Sequence, residues 1–275
     1  GTSRELKAGT PVWSAASQLN AKGAGERQIA TFNGVKGVAF TFPNDFETLL
    51  ANDLSENQVA DLLQNKPRSS SASTQNKADN STYGERIVAY LRGDNTYEQG
   101  VASAATVATN FNKTFRGRGG NKLGDIIHSS PVYVGKSQFT YPDTLETEAY
   151  STYVKETENR KAMVYVGAND GMLHAFDADT GQEDWAYIPS FVMPRLYTLA
   201  DKEYSTKHQF FVEGTPATGD VYDATSGIWK TILVGGLNAG GVGYYALDIT
   251  NPADPKVLWE FTDTDMGYTF GNPSI

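Results

Sequence analysis

The pattern of hydrophobic and polar positions divides the chain near residue 120. Before this point helical and strand periodicities are mixed, whereas after it short strand-like runs alternate with Gly, Asp, Asn and Pro. We therefore predict a mixed α/β lead-in region over residues 1–120 and a β-rich region over 121–275. Within the lead-in region, two short runs predict strands at 28–32 and 38–42.

The rest of the lead-in region predicts helices separated by a polar loop. Leucines at helical spacing lie in 46–64, and Ser55 with Gln58 forms a capping-box pattern that predicts where the helix begins. Residues 66–81 are polar and rich in Ser, which predicts a mobile loop. A short helix is predicted to follow at 83–92.

The β-rich region contains an internal repeat. Residues 164–187 align with 233–261, because each has an apolar run ending in Val-Gly, a turn, a strand ending in Ala-apolar-Asp, and a Trp. Each copy follows a small residue and Pro, at Ser130-Pro131 and Thr215-Pro216, and a third such pair is Asn272-Pro273. Units of three or four antiparallel strands are typical of β-propeller blades. Two units and the start of a third leave a sheet edge open, so we expect the sequence to be part of a longer protein.

Charge and composition exclude several classes of function. The net charge is −9, and the Lys and Arg residues are scattered rather than gathered on one segment, which argues against nucleic acid as a partner. The chain has no Cys, and no apolar run approaches the length of a membrane span. We predict a protein without disulfides, thiolate chemistry or a membrane-spanning helix.

The stretch from Ala168 to Trp185 is rich in acidic residues and contains one His. A calcium loop that began at Asp177 would need oxygen ligands at Gly181 and Ile188, so the spacing does not fit. We predict a turn in which Asp177 caps backbone N–H groups and Gly181 adopts a positive φ. The carboxylates are expected to face solvent at the rim of a blade, which argues against acid–base catalysis, and His174 is expected to be structural.

Two other short motifs are candidates for binding. The tripeptide Arg92-Gly93-Asp94 matches the sequence that integrins bind, but the same residues also suit the end of a helix, with Gly93 as the stop. Both interpretations remain open. Asp263 and Asp265 are candidate metal ligands, with a plain turn as the alternative. Arg116 and Arg118 are expected to pair with acidic neighbours.

Several segments together resemble one protein family. They are KLGDIIHSSPVYVG, VYVGANDGMLHAFDADTGQEDWAYIPS and VLWEFTDTDMGYTFGNPSI, with IVAYLRGD and FRGRGG upstream. In combination they resemble the PilC/PilY family of type IV pilus tip-associated assembly proteins and adhesins. The resemblance covers nearly the whole chain and is densest at 83–94 and 122–275.

The resemblance implies a non-catalytic protein with a modified β-propeller, exported to the pilus tip, the cell surface or the outer membrane. It implies roles in pilus assembly and extension, twitching motility, virulence, and attachment to host cells or surfaces. The implied partners are minor pilins and a host receptor, such as an integrin. The family's calcium loop is expected outside this chain, and no cofactor is expected within it. The repeat alone also resembles quinoprotein dehydrogenases that use pyrroloquinoline quinone, which is the alternative function.

Overall fold

Two β-sheets form the frame of the part of the protein that the structure describes. This computed structural model describes residues 11–45, 48–64, 74–101 and 115–275, without the side chains of 74–80. The strands are β1 (Ile29–Phe32), β2 (Gly37–Ala39), β3 (Val132–Val134), β4 (Met163–Ala168), β5 (Met172–Asp177), β6 (Glu183–Ile188), β7 (Ala217–Asp223), β8 (Ile228–Gly236), β9 (Tyr244–Asp248) and β10 (Lys256–Phe261). The helices are α1 (Ala15–Ala21), α2 (Glu56–Leu62), α3 (Thr74–Leu91), α4 (Tyr150–Glu156) and α5 (Met193–Leu196).

Each copy of the sequence repeat folds into one four-stranded antiparallel unit. The first unit is β3-β4-β5-β6 and the second is β7-β8-β9-β10. The small residue and Pro that precede each copy place the units side by side. The Ser129 hydroxyl donates to the Gly214 carbonyl at 3.2 Å, and the Ser130 N–H donates to the Thr215 hydroxyl at 2.9 Å. The predicted mainly β fold with partial propeller blades is confirmed, and we call the units the first and second blades.

The lead-in region adds strands to the first blade. Strand β1 pairs in parallel with β6, and β2 then pairs antiparallel with β1, which extends this sheet to six strands. Side chains of the lead-in helices and of both blades share one hydrophobic core, in which Leu62, Ile87, Leu173 and Leu247 are buried. The regions on the two sides of the predicted division at residue 120 therefore pack against one another. Their division into two domains stays a prediction.

A second, smaller aromatic core fixes α4 onto the second blade. Tyr150 and Tyr153 of α4 pack with Trp229 of β8, and all three side chains are buried. The Tyr150 hydroxyl donates to Asp220 at 2.6 Å, and Asp220 also accepts from the Thr231 hydroxyl at 2.6 Å. The segment between β3 and β4 thus reaches from the first blade to the second.

The helices of the lead-in region differ in part from the sequence predictions. The capping box is confirmed, because Ser55 and Gln58 exchange side-chain-to-backbone hydrogen bonds at the start of α2. The leucines before Ser55 lie outside the helix, since the cap fixes where it begins. The predicted loop 66–81 is wrong from Thr74 onward, where α3 already begins. Buried residues in the second half of α3 stabilise the helix, and helical propagation then extends it into the polar sequence. Residues 66–73 lie outside the described residues.

Candidate functional site

A chain of four ionisable side chains is buried where the lead-in region meets the first blade. The Arg27 guanidinium binds the Glu183 carboxylate through two hydrogen bonds, of 2.7 and 2.8 Å. The same carboxylate lies 2.7 Å from His174 Nδ1, while His174 Nε2 lies 3.1 Å from both oxygens of Asp170. The Gly124 N–H donates to Asp170 at 2.9 Å. Arg27, His174 and Glu183 are almost inaccessible, and the side chain of Asp170 is 15% exposed.

The neighbouring charges in this chain decide its protonation state. Burial disfavours the charged imidazole, but Asp170 and Glu183 outweigh it and raise the pKa of His174 to about 9. Burial also acts to raise the carboxyl pKa values, but His174 and Arg27 together lower the pKa of Glu183 to about 2, and His174 lowers the pKa of Asp170 below its ordinary range. At neutral pH two cations and two carboxylates therefore neutralise one another.

This arrangement connects the acidic stretch with the Arg-Gly-Asp tripeptide, which are far apart in the sequence. Arg27 donates to the carbonyl of Arg92 at 3.0 Å, and Arg92 donates to the carbonyls of Arg27 and Phe40. Gly93 has a φ of 108°, and its N–H donates to Tyr90, while the Asp94 N–H donates to Ala89. These two bonds form a Schellman motif at the end of α3.

The tripeptide thus ends a helix, and its Arg side chain is held by the fold. Asp94 accepts hydrogen bonds from the Thr96 N–H and hydroxyl at 2.8 and 2.6 Å. An integrin requires a free guanidinium and a free carboxylate, so Arg92 would have to leave two carbonyls. Receptor binding by Arg92, Gly93 and Asp94 stays a prediction.

The substitution Asp94→Asn separates the two interpretations of the tripeptide. The Asn carbonyl oxygen can accept the same two bonds from Thr96, so we expect the unfolding free energy to change by less than about 1 kcal/mol. Integrin binding, in contrast, depends on the carboxylate and would be abolished. Binding of the wild-type protein to immobilised integrin, lost in Asp94→Asn, would establish the receptor motif. Equal binding of both proteins, or no binding of either, would contradict it.

The two inner members of the buried chain, His174 and Glu183, are closed to substrates. Both ring nitrogens of His174 lie against carboxylates, and both oxygens of Glu183 are bound by Arg27 or His174. A general base needs a free position within reach of the proton that it removes. The chemistry that the arrangement supports is therefore charge pairing, which fixes the lead-in region against the first blade. The expectation that the acidic residues of this stretch face solvent is wrong for Asp170 and Glu183.

The remaining acidic motifs form turns. Asp177 accepts from the N–H groups of Asp179 and Thr180 at 2.9 and 2.8 Å, and Gly181 has a φ of 71°, as predicted. Asp263 accepts in the same way from the N–H of Asp265 at 2.8 Å. Among the described residues there is no group of three or more His, Cys, Asp or Glu side chains that could hold a metal ion. Metal binding by Asp263 and Asp265 stays a prediction. Within the described ranges, no third His, Cys, Asp or Glu joins them in a group that could hold a metal ion.

A second polar network next to Asp170 is not evident from the sequence. The Asn169 amide donates to Asp125 at 2.9 Å and to Glu213 at 3.2 Å. His128 lies 3.0 Å from Glu213, and His208 lies at a similar distance from Asp125. The network joins three segments: the one before β3, which contains Asp125 and His128, Asn169 directly after β4, and the one before β7, which contains His208 and Glu213. An Asn after a strand indicates only a turn, so the sequence contains no signal for these partners.

The prediction for the two basic residues is confirmed for one of them. Arg118 pairs with the buried Glu98 at 2.5 Å, and it also donates to the Tyr90 and Asp94 carbonyls. Arg116 instead donates to the Leu199 carbonyl and lies over the Tyr204 ring, 4.5 Å from its centroid. The predicted acidic partner of Arg116 is therefore replaced, among the described contacts, by a carbonyl and by an aromatic ring that attracts the cation.

Fold and site together define a protein with partial β-propeller blades and a buried chain of paired charges where the lead-in region meets the first blade. Residues 123–275 match the family described as the PilY1 beta-propeller domain, and the chain belongs to this family. The type IV pilus biogenesis factor PilY1 of Pseudomonas aeruginosa strain PAK is 39% identical over 280 residues, covering 97% of this chain and 21% of that protein. A PilY1 homolog of Xylella fastidiosa is 39% identical over 192 residues, covering 68% of this chain and 15% of that protein.

A solved structure of the same family also matches. The crystal structure of the Pseudomonas aeruginosa PilY1 C-terminal domain has 39% sequence identity and a TM-score of 0.40, and the match covers 52% of this chain and 28% of that chain. The chain thus spans about a fifth of the length of its Pseudomonas relatives. Within the described residues, no helix has the length and apolar character needed to cross a membrane.

Proposed function

We propose that this chain is the blade-forming part of a type IV pilus biogenesis factor and that it acts without catalysis. The observation that carries the proposal is the 39% identity to PilY1 of Pseudomonas aeruginosa across 97% of the chain. The buried ion chain supports a non-catalytic role, because His174 and Glu183 are inaccessible and every nitrogen or oxygen of their charged groups is bound within the chain. The factor associates with the pilus machinery, and minor pilins at the pilus tip are the partners that we propose.

The finer functions extend this proposal. Export to the cell surface, attachment to host cells or surfaces, and a contribution to twitching motility and virulence are the roles that we expect of the complete protein. We also propose that the complete protein binds calcium, at a loop outside this chain. The propeller then serves as a rigid body that presents its loops to partners.

Gene deletion with complementation tests the role in pilus biogenesis. Deleting the complete gene that encodes this segment is expected to remove surface pili, counted by electron microscopy and by shearing, and to stop twitching on agar. Complementation with the wild-type gene restores both. Normal piliation in the deletion strain, with pilin expression unchanged, would overturn the proposal.

An oxidation assay tests the absence of catalysis. The purified protein is incubated with pyrroloquinoline quinone and Ca²⁺, and dye-linked oxidation of alcohols is followed. We expect the oxidation rate to equal that of the same mixture without the protein. Turnover above that background, removed by chelation of Ca²⁺, would instead support the quinoprotein dehydrogenase alternative.

A further inference from the structure

A cleft of about 660 Å³ lies between the added strands of the lead-in region and the second blade. One wall is the hairpin of β1 and β2, and the opposite wall is residues 253–257, where β10 begins. Ala186 and Tyr187 of β6 contribute to the lining between these walls. The walls meet at Gly37, where a Cβ atom would lie only 2.8 Å from the Val257 side chain. The volume is within the usual range of ligand sites.

The charge of this cleft is opposite to that of the whole chain. Its lining includes the cations Arg27, Lys36, Arg92 and Lys256 but a single carboxylate, Asp254, although the net charge of the chain is −9. Glu183 neutralises Arg27, and Asp254 lies 2.6 Å from Lys256. Within the described parts of the chain, Lys36 donates to the Asn52 side chain and Arg92 to backbone carbonyls, and all of these partners are neutral. The cleft therefore keeps an excess of positive charge.

One wall of the cleft presents the free edge of a sheet. Strand β2 is the outermost strand of its sheet within the ranges that the structure describes. The Phe40 N–H donates to Ile29 and the Asn33 N–H donates to Lys36, so the even-numbered residues on the β2 side of the hairpin, from Lys36 to Phe40, point their backbone groups towards β1. Gly37 and Ala39 then point theirs outward, and both residues are exposed and line the cleft. The Ala39 carbonyl already accepts from the Thr41 N–H at 3.0 Å, so the outward groups offered to a partner strand are the two N–H groups and the Gly37 carbonyl. A free edge of this kind accepts another strand through main-chain hydrogen bonds.

We propose that this cleft binds an extended acidic segment of a partner protein, which pairs as a strand with Gly37–Ala39 and places carboxylates against Lys36 and Lys256. Main-chain hydrogen bonds provide the affinity, and the two lysines select for acidic side chains. Both lysines are exposed. The pair of Lys256 with Asp254 is exposed as well, so solvent screens it and Lys256 can exchange Asp254 for a carboxylate of the partner. The proposal goes beyond the role in pilus biogenesis and does not depend on it.

Short synthetic peptides test both parts of the proposal. A fluorescent peptide of alternating Val and Glu is titrated into the whole protein, and its anisotropy is compared with that of a Val-Lys peptide and of a Val-Glu peptide with N-methylated backbone. We expect binding of the unmodified acidic peptide alone, weakened as salt increases. Hydrogen exchange should slow at Gly37 and Ala39 when this peptide is bound. Equal binding of the N-methylated peptide, or of an oligothymidylate of the same charge, would overturn strand pairing.

Charge reversal in the cleft provides the matched variants. The double substitution Lys36→Glu with Lys256→Glu is expected to weaken binding of the acidic peptide by about tenfold or more, because two attractions become repulsions. The control reverses two exposed lysines that do not line the cleft, Lys136→Glu with Lys202→Glu, which has the same net charge. We expect the control to bind within about twofold of wild type. Equal losses in both variants would show that only net charge matters and would overturn the site.

Discussion

The substitution Glu183→Gln is expected to lower the free energy of unfolding by about 3–5 kcal/mol, although Gln has nearly the same shape as Glu. Glu183 is 1% exposed and binds both Arg27 and His174. Removing its charge leaves these two buried cations with Asp170 as their only carboxylate in the chain of contacts. A buried cation without its partner retains the full cost of its lost hydration.

The neighbouring carboxylate, Asp184, provides a control at nearly the same position. Its side chain is 25% exposed and pairs with Lys161, whose side chain is 42% exposed. Asp184→Asn is therefore expected to cost less than about 1 kcal/mol, because solvent screens an exposed ion pair. Urea unfolding followed by circular dichroism measures both variants. A loss at Glu183 no larger than the loss at Asp184 would contradict the proposed importance of the buried charges.

The architecture of the blades could be predicted from the sequence because it depends on local patterns. Alternating apolar residues, Val-Gly before a turn and Asp-x-x-x-Gly between strands each act over a few residues. Gly181 shows where this reasoning ends. Its positive φ follows from the turn, but a Cβ atom at Gly181 would also lie 2.4 Å from the Trp13 ring, a contact with the distant N-terminal part of the chain. The sequence contains no local signal for that second constraint.

The buried ion chain could not be predicted because its members are brought together only by the tertiary fold. Arg27 and Glu183 are 156 residues apart, and the parallel pairing of β1 with β6 places them side by side. Parallel neighbours have no tight turn that would mark them in the sequence. His174 was the one available hint, since a His inside an otherwise apolar strand needs a polar partner. Its position identified a structural residue but not which acids it binds.

The protonation of His174 predicts that the protein loses stability as the pH rises from about 6.5 to about 9. The pKa of His174 is raised from 6.5 to about 9 in the folded state, so its contribution is complete below 6.5 and is lost as the pH passes through 9. A shift of this size corresponds to a loss on the order of 3 kcal/mol in unfolding free energy across that window. The lowered pKa of Glu183 acts at the other extreme, because its contribution is lost only as the pH falls through about 2.

The variant His174→Gln isolates this effect. Gln lacks the titrating group, so the difference in unfolding free energy between wild type and variant should shrink as the pH rises from 6.5 to 9. That shrinking difference distinguishes a charged imidazole from one that only packs, for which the difference would stay constant with pH. Nuclear magnetic resonance of the His174 ring in the folded protein measures the protonation directly. A ring that is already neutral at pH 7 would contradict the charge balance of the buried chain, whatever the stability of the variant.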